Sequence, residues 1–173
     1  MPPSAPALAP TPRPALTPEE QHAAAQNHFA AGCLCEQNSD WPGAIERYRH
    51  SLAHTSPDPR LRYFGHNNLG FALIQLGRHA EAESHCGTAI AINPSQYNAH
   101  KNLGLALQGQ GRWADAAQSY LRAIRAAPGE PRSARHLETL LAEHPELETA
   151  PELRAELARF RTLQADGSIA RSH

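Results

Sequence analysis

The sequence predicts an all-α solenoid of about three helical hairpins, closed by helices at its C-terminal end. The segment from Tyr63 to Gln96 aligns without a gap on that from Tyr97 to Glu130, with fourteen identities in 34 positions. Each copy holds two blocks of apolar and small residues at helical spacing, parted by Gly77-Arg78 in one and Gly111-Arg112 in the other. The residues that stay fixed are mostly small or apolar, and those that drift are mostly polar. Self-similarity at a constant period means stacked units that cannot bury their apolar faces alone.

In chain order, residues 1–17 read as a disordered Pro/Ala-rich tail: the first eighteen residues carry seven of the fifteen prolines and one charge. "TPEE" then signals a helix start, with Thr17 as cap, Pro18 in the first turn and Glu20 closing a capping box. Residues 18–130 hold three repeats, at about 25–62, 63–96 and 97–130. The first is recognised by Gly32, Cys35, Ala44 and Tyr48, which lie 38 residues before Gly70, Leu73, Ala82 and Cys86. The four extra residues are expected in a longer turn around Pro57 and Pro59. Gly70 with Ala82, and Gly104 with Ala116, are expected at helix crossings, where a missing side chain lets two axes approach. Leu69, Leu73, Leu103, Leu107 and Tyr120 fill the space between helices, and Pro94 and Pro128 end the second helix of each pair. Residues 131–164 read as capping helices, with Leu137, Leu140 and Leu141 on one face and a second capping box from Thr149 to Glu152. Residues 165–173 read as a flexible tail.

Bulk properties narrow the function. A net charge of -1 and a pI near 6.8 argue against a nucleic-acid partner. No apolar run approaches the roughly 20 residues a membrane span needs, and the first residues make a poor secretory signal, so the expected location is cytoplasmic. Cys33 and Cys35 point to nearly opposite sides of a helix and cannot bridge, which fits free thiols.

These positions resemble the tetratricopeptide repeat. With Tyr63 and Tyr97 as first residues, both copies match its pattern at the seventh, eighth, eleventh, twentieth, twenty-seventh and thirty-second positions. Tyr120 supplies the aromatic residue at the twenty-fourth, where the second copy has Cys86; His66 and His100 stand at the fourth, where the family often has Trp. The resemblance covers about Ala25 to Glu130. It implies a right-handed superhelix whose first helices line a concave groove, here Gln26, Phe29, Cys33, Glu36 and Gln37, then Phe64, Asn67, Asn68, Phe71, Ile74 and Gln75, then Asn98, Lys101, Asn102, Leu105 and Gln108.

Asn68 and Asn102 hold equivalent positions, and a carboxamide matches the donors and acceptor of an extended peptide backbone. This is similar to the asparagine ladder of protein O-linked N-acetylglucosamine transferases, whose glycosyltransferase domain has no counterpart here. Lys101, Arg132, Arg135 and His136 make the far end of the groove basic, which suits an acidic segment. Carboxylate-clamp members are only loosely similar: their first-repeat lysine and asparagine correspond to Phe29 and Cys33, and their third-repeat basic pair to Asn98 and Asn102.

The expected function is a non-catalytic adaptor with no cofactor and no metal, binding a protein or peptide through Phe64, Asn67, Asn68, Phe71, Gln75, Asn98, Lys101, Asn102, Leu105, Arg132 and Arg135. A small secretion-type or assembly chaperone and a self-associating scaffold are the alternatives. Among the eleven histidines, His50 and His54 lie one helical turn apart without an evident third ligand. His85 and Cys86 diverge by about 100° as helix neighbours, so Cys86 is expected in the core.

Overall fold

The computed structural model describes residues 15–168, so the proline-rich stretch up to Pro14 and the last five residues lie outside the description. The described chain is helical throughout: α1 (Pro18–Gln37), α2 (Trp41–Ala53), α3 (Pro59–Gln75), α4 (His79–Ile92), α5 (Tyr97–Gly109), α6 (Trp113–Ala126), α7 (Pro131–Glu143), a 3-10 turn (Pro145–Thr149) and α8 (Pro151–Ala165). Consecutive helices pair as hairpins. The first helices α1, α3 and α5 also touch one another in sequence, while α2, α4 and α6 each wedge between their own partner and the next first helix. The result is the expected α-solenoid of three hairpins, with α7 and α8 closing its end.

Local chemistry explains the boundaries. The Thr17 hydroxyl accepts from the Glu20 backbone N–H while the Glu20 carboxylate accepts from that of Thr17, which completes the predicted capping box. Asp40 and Asp58 cap α2 and α3 through their carboxylates. Gly77 and Gly111 take φ of +71° and +74° at the ends of α3 and α5, a left-handed turn that glycine adopts without strain. The arginine after each glycine then pairs with an acid in the first turn that follows, Arg78 with Glu81 and Arg112 with Asp115.

Two expectations need correction. The four extra residues before Tyr63 extend α3 by one turn, because Asp58 caps and Pro59 fits the first helical position; α3 has 17 residues where α5 has 13. No capping box forms from Thr149 to Glu152: Thr149 lies in the 3-10 turn, its hydroxyl donates to the Glu146 carbonyl, and α8 starts from Ala150.

At the crossings the nearest neighbour of each glycine is a larger residue of the second helix, with the Ala82 carbonyl also close to Gly70. A Cβ on Gly32 would come within 2.6 Å of the Tyr48 ring, one on Gly104 within 2.4 Å of the Tyr120 ring, and one on Gly70 within 2.7 Å of the Cys86 sulfur and 3.4 Å of the Ala82 carbonyl. Each glycine therefore makes room for the residue four beyond the conserved alanine. Tyr48, Cys86 and Tyr120 are completely buried, as are Leu69, Leu73, Leu137 and Leu140. Burial pushes the Cys86 thiol up to about 12. The two unusual histidines are also absorbed. His100 donates through Nε2 to the Pro94 carbonyl at 2.8 Å. His66 and His85 share a hydrogen bond at 3.0 Å between their Nδ1 atoms, which requires one ring to donate and the other to accept.

Gly32→Ala and Gly104→Ala should each lower the unfolding free energy by about 1–3 kcal/mol through overpacking. Gly87→Ala, with open space around the added carbon, should raise it by about 0.4–1 kcal/mol; urea titration separates the two classes. Burial first, then the charges of His85 and Arg62, hold His66 down to about 4, and burial with Arg49 lowers His85 against the opposing pull of Glu81. A folded-state pKa below the unfolded one gives stability that is complete above about 6.5 and lost as pH falls toward 4. The slope of unfolding free energy against pH should therefore flatten in that window in His66→Phe.

Candidate functional site

The residues expected in the groove divide by what holds them. Asn67 and Asn102 are buried, at 7% and 3% exposure, and Asn68 is half-buried. Asn102 Nδ2 donates to Asn67 Oδ1 at 3.1 Å, and Asn67 Nδ2 donates to Asn68 Oδ1 at 3.0 Å. Asn68 Nδ2 donates to the Tyr48 hydroxyl at 3.4 Å, and that hydroxyl donates to Glu36 Oε2 at 2.7 Å. A continuous polar row thus crosses the three first helices, from α5 through α3 to α1, with Tyr48 of α2 as its one outside member. Burial, then the bond to the Glu36 carboxylate, push the Tyr48 phenol far above its ordinary range, so it stays a donor.

Tyr48 and Glu36 belong to a pattern that recurs. The residue twelve before each buried position faces it: Glu36 accepts from Tyr48, and Gln108 accepts from Tyr120 at 2.7 Å. The middle repeat has Ile74 and Cys86 at these places, an apolar pair in place of a hydrogen-bonded one. In the repeat Asn102 holds the position relative to Cys86 that Asn68 holds relative to Tyr48, and cysteine supplies no hydroxyl. Asn102 Nδ2 turns to Asn67 instead, and its Oδ1 remains a buried acceptor without a donor. His136 occupies the next equivalent place and stacks on the Tyr120 ring at 5.5 Å.

Beside the row runs a cationic and aromatic strip. Trp41 meets Phe71 edge to face at 5.8 Å, and Lys101 Nζ lies 6.0 Å from the Phe71 ring centroid. Lys101 is 8% exposed; burial first, then the charge of Arg132, lowers its pKa, with Glu130 opposing. Arg132 donates to the Tyr97 hydroxyl at 2.8 Å and to Glu130 at 2.7 Å. Arg135 is exposed on α7. Gln75 is exposed at the end of α3, Asn98 and Leu105 are partly buried on α5, and Leu105 packs toward the C-terminal core. Phe64, 41% exposed, lies apart: it packs edge-on to Tyr63 and lines a shallow cleft with Pro59, Ile92 and Gln96. Phe29 packs on the Tyr48 ring at 5.7 Å and Cys33 sits 3.6 Å from its hydroxyl.

Tyr48 is the member that sequence reasoning missed, since its position marks it as core and its hydroxyl carries the row. The signal was present as the pairing of a polar residue twelve before each tyrosine and an apolar one before Cys86. His28, unforeseen as a neighbour, stacks on both His50 and His54 at 5.1 and 5.7 Å; among the described residues no three His, Cys, Asp or Glu side chains converge as metal ligands. Nor is any described helix long and apolar enough to cross a membrane. A separate cleft of about 270 Å³ opens between α6 and α8, lined by Leu121, Ile124, Phe160 and Leu163 under Arg125 and Glu156.

Residues 67–131 match the family model described as tetratricopeptide repeat. Among solved structures, the Sgt2 TPR domain from Aspergillus fumigatus is similar with a TM-score of 0.64 at 21% identity, over 85% of this chain and 89% of that one. The Arabidopsis OM64 TPR domain gives 0.62 at 19%, over 69% and 96%. The second TPR domain of human RPAP3, solved in complex with the HSP70 peptide SGPTIEEVD, gives 0.60 at 22%, over 72% and 98%. No curated protein matches the sequence.

Asn67→Ala should cost about 1–3 kcal/mol of folding stability, since it strands the Asn102 amide and takes the donor from Asn68. Chemical denaturation checks this, with exposed Gln75→Ala as the neutral control.

Proposed function

We propose, for a chain that belongs to the tetratricopeptide-repeat family by residues 67–131, that it is a non-catalytic adaptor holding an extended segment of a protein partner along its first helices. The observation that carries this reading is the polar row from Asn102 to Glu36 lying beside the Trp41, Phe71 and Lys101 strip. Half-buried Asn68, fixed by Asn67 and Tyr48, offers preorganised hydrogen bonding to a peptide backbone, and an aromatic strip offers area for its side chains. Solved structures of similar fold include one caught with a peptide, the second TPR domain of human RPAP3 with an HSP70 peptide.

An acidic segment suits the α5 and α7 end best. Among the described residues no carboxylate forms an ion pair with Lys101, Arg135 is exposed, and the nearby acid Glu130 is engaged by Arg132. A chaperone tail held by a carboxylate clamp is disfavoured, because Phe29 and Cys33 pack against Tyr48 where that clamp needs a donor and a cation.

Phage-displayed random peptides selected on the full chain should be enriched in Asp and Glu. Their affinity, read by fluorescence polarisation, should fall about tenfold in Lys101→Ala/Arg135→Ala and weaken with added salt. Unchanged affinity in that variant, with loss in an outer-face Arg49→Ala, would move the interface off the groove.

A further inference from the structure

The cleft around Phe64 is not a feature of the repeat. Its lining includes Pro59 and Arg60, which belong to the extra turn of α3, and α5 has no such turn. Phe64 itself corresponds to Asn98 in the next copy. Periodic packing therefore gives no reason for an aromatic ring, 41% exposed, at the start of α3. With Tyr63 and Ile92 it walls a space of about 190 Å³, below the roughly 300–1,000 Å³ of pockets that enclose small ligands. Two carboxamides, Asn93 and Gln96, complete the lining. Asn93 Oδ1 accepts from the backbone N–H and the hydroxyl of Ser95, which leaves its NH2 to donate elsewhere. Among the described residues neither that NH2 nor the Gln96 side chain has a hydrogen-bond partner. An apolar cleft with spare donors fits a ligand that brings apolar rings and carbonyls but no N–H groups, and proline is that residue. A proline-rich segment holds the extended polyproline II form without internal hydrogen bonds and loses little entropy on docking to aromatic surfaces.

Such a segment joins the fold close by. Gln21 donates through Nε2 to the Leu16 carbonyl at 3.4 Å and accepts at Oε1 from the Thr55 N–H at 3.1 Å, while His22 shares a hydrogen bond with Ser56 Oγ at 2.9 Å. The start of α1 is thus tied to the turn that leads directly into Pro59. Residues 1–14, six of them proline, precede this anchored point. Packed helix axes lie about 8–10 Å apart, so a path from α1 to the far side of α3 needs roughly 15 Å, about five residues at about 3.1 Å each. Counted back from Leu16, that brings Pro10 and Pro12 to Phe64.

We propose that residues 1–14 of this chain fold back over the start of α3 and seat Pro10 and Pro12 against Phe64, which makes the proline-rich segment an intramolecular ligand of this cleft. Its carbonyls accept from Asn93 and Gln96. Any partner that uses Phe64 has first to displace it. The contact is independent of what the rest of the groove binds.

Nuclear magnetic resonance on the full chain with isotope-labelled proline tests this. In the wild type, nuclear Overhauser contacts are expected from the Phe64 ring to prolines of residues 1–14, besides those to Pro59, which lines the cleft in any case. Pro10→Ser/Pro12→Ser leaves every described residue in place; it should abolish the contacts to residues 1–14 and shift the side-chain NH2 signals of Asn93 and Gln96. Phe64→Ala should move the signals of Pro10 and Pro12 to free-peptide positions, with a melting curve to establish that this variant folds. Contacts from the Phe64 ring to Pro59 alone, or Asn93 and Gln96 signals that ignore the double proline substitution, overturn the proposal. Contacts that appear only as the protein is concentrated into dimers seat the segment on a second copy and overturn the intramolecular assignment.

Discussion

The structure depends on one close approach, repeated three times: a glycine in the first helix of a hairpin lies against the residue at the heart of the second. At Gly32 and Gly104 that residue is tyrosine, and at Gly70 it is cysteine. The contact sets the distance between paired helices, and that distance lets each following first helix settle into the groove they form. Because the rings are completely buried beneath glycine, their hydroxyls emerge at a constrained place on the inner row of helices. Packing thereby decides where polar groups appear, and the candidate site is a by-product of how the hairpins close.

The three repeats answer the same packing problem in two ways, and the difference has chemical consequences. Glu36 with Tyr48 and Gln108 with Tyr120 join a buried hydroxyl to an acceptor, while Ile74 with Cys86 needs no hydrogen bond. An apolar pair in the middle repeat avoids the desolvation of a polar one, and it also withdraws a partner from Asn102. The two tyrosine–acceptor pairs thus flank an apolar pair in the middle repeat, and beside it Asn102 of α5 bonds to Asn67 of α3.

Much of the fold was legible because it is periodic. The 34-residue self-alignment, the Gly-Arg breaks and the Thr17 capping box each report local rules that tertiary structure leaves in place. What escaped were cases where two local rules compete. Pro57 and Pro59 suggested a loop, but Asp58 makes Pro59 a helix start; Thr149 suggested a cap, but Pro145 commits it to a 3-10 turn first. The site residues were legible as a set and not as a network. Family positions identify Asn67, Asn68, Asn102 and Lys101, yet only side-chain geometry reveals that the amides bond one another and that a core tyrosine links them to Glu36.

The extra turn of α3 makes the hairpins unequal. Stacked repeats of identical length can pair one unit out of step, since every neighbour offers the same surface, and such slippage is a hazard of repeat proteins. The first helices differ in length, with 20 residues in α1, 17 in α3, where Pro59 to Arg62 precede Tyr63, and 13 in α5. A stack displaced by one hairpin would set that overhanging turn against a partner built for a shorter helix. The graded lengths act as a key, marking which hairpin belongs in the middle.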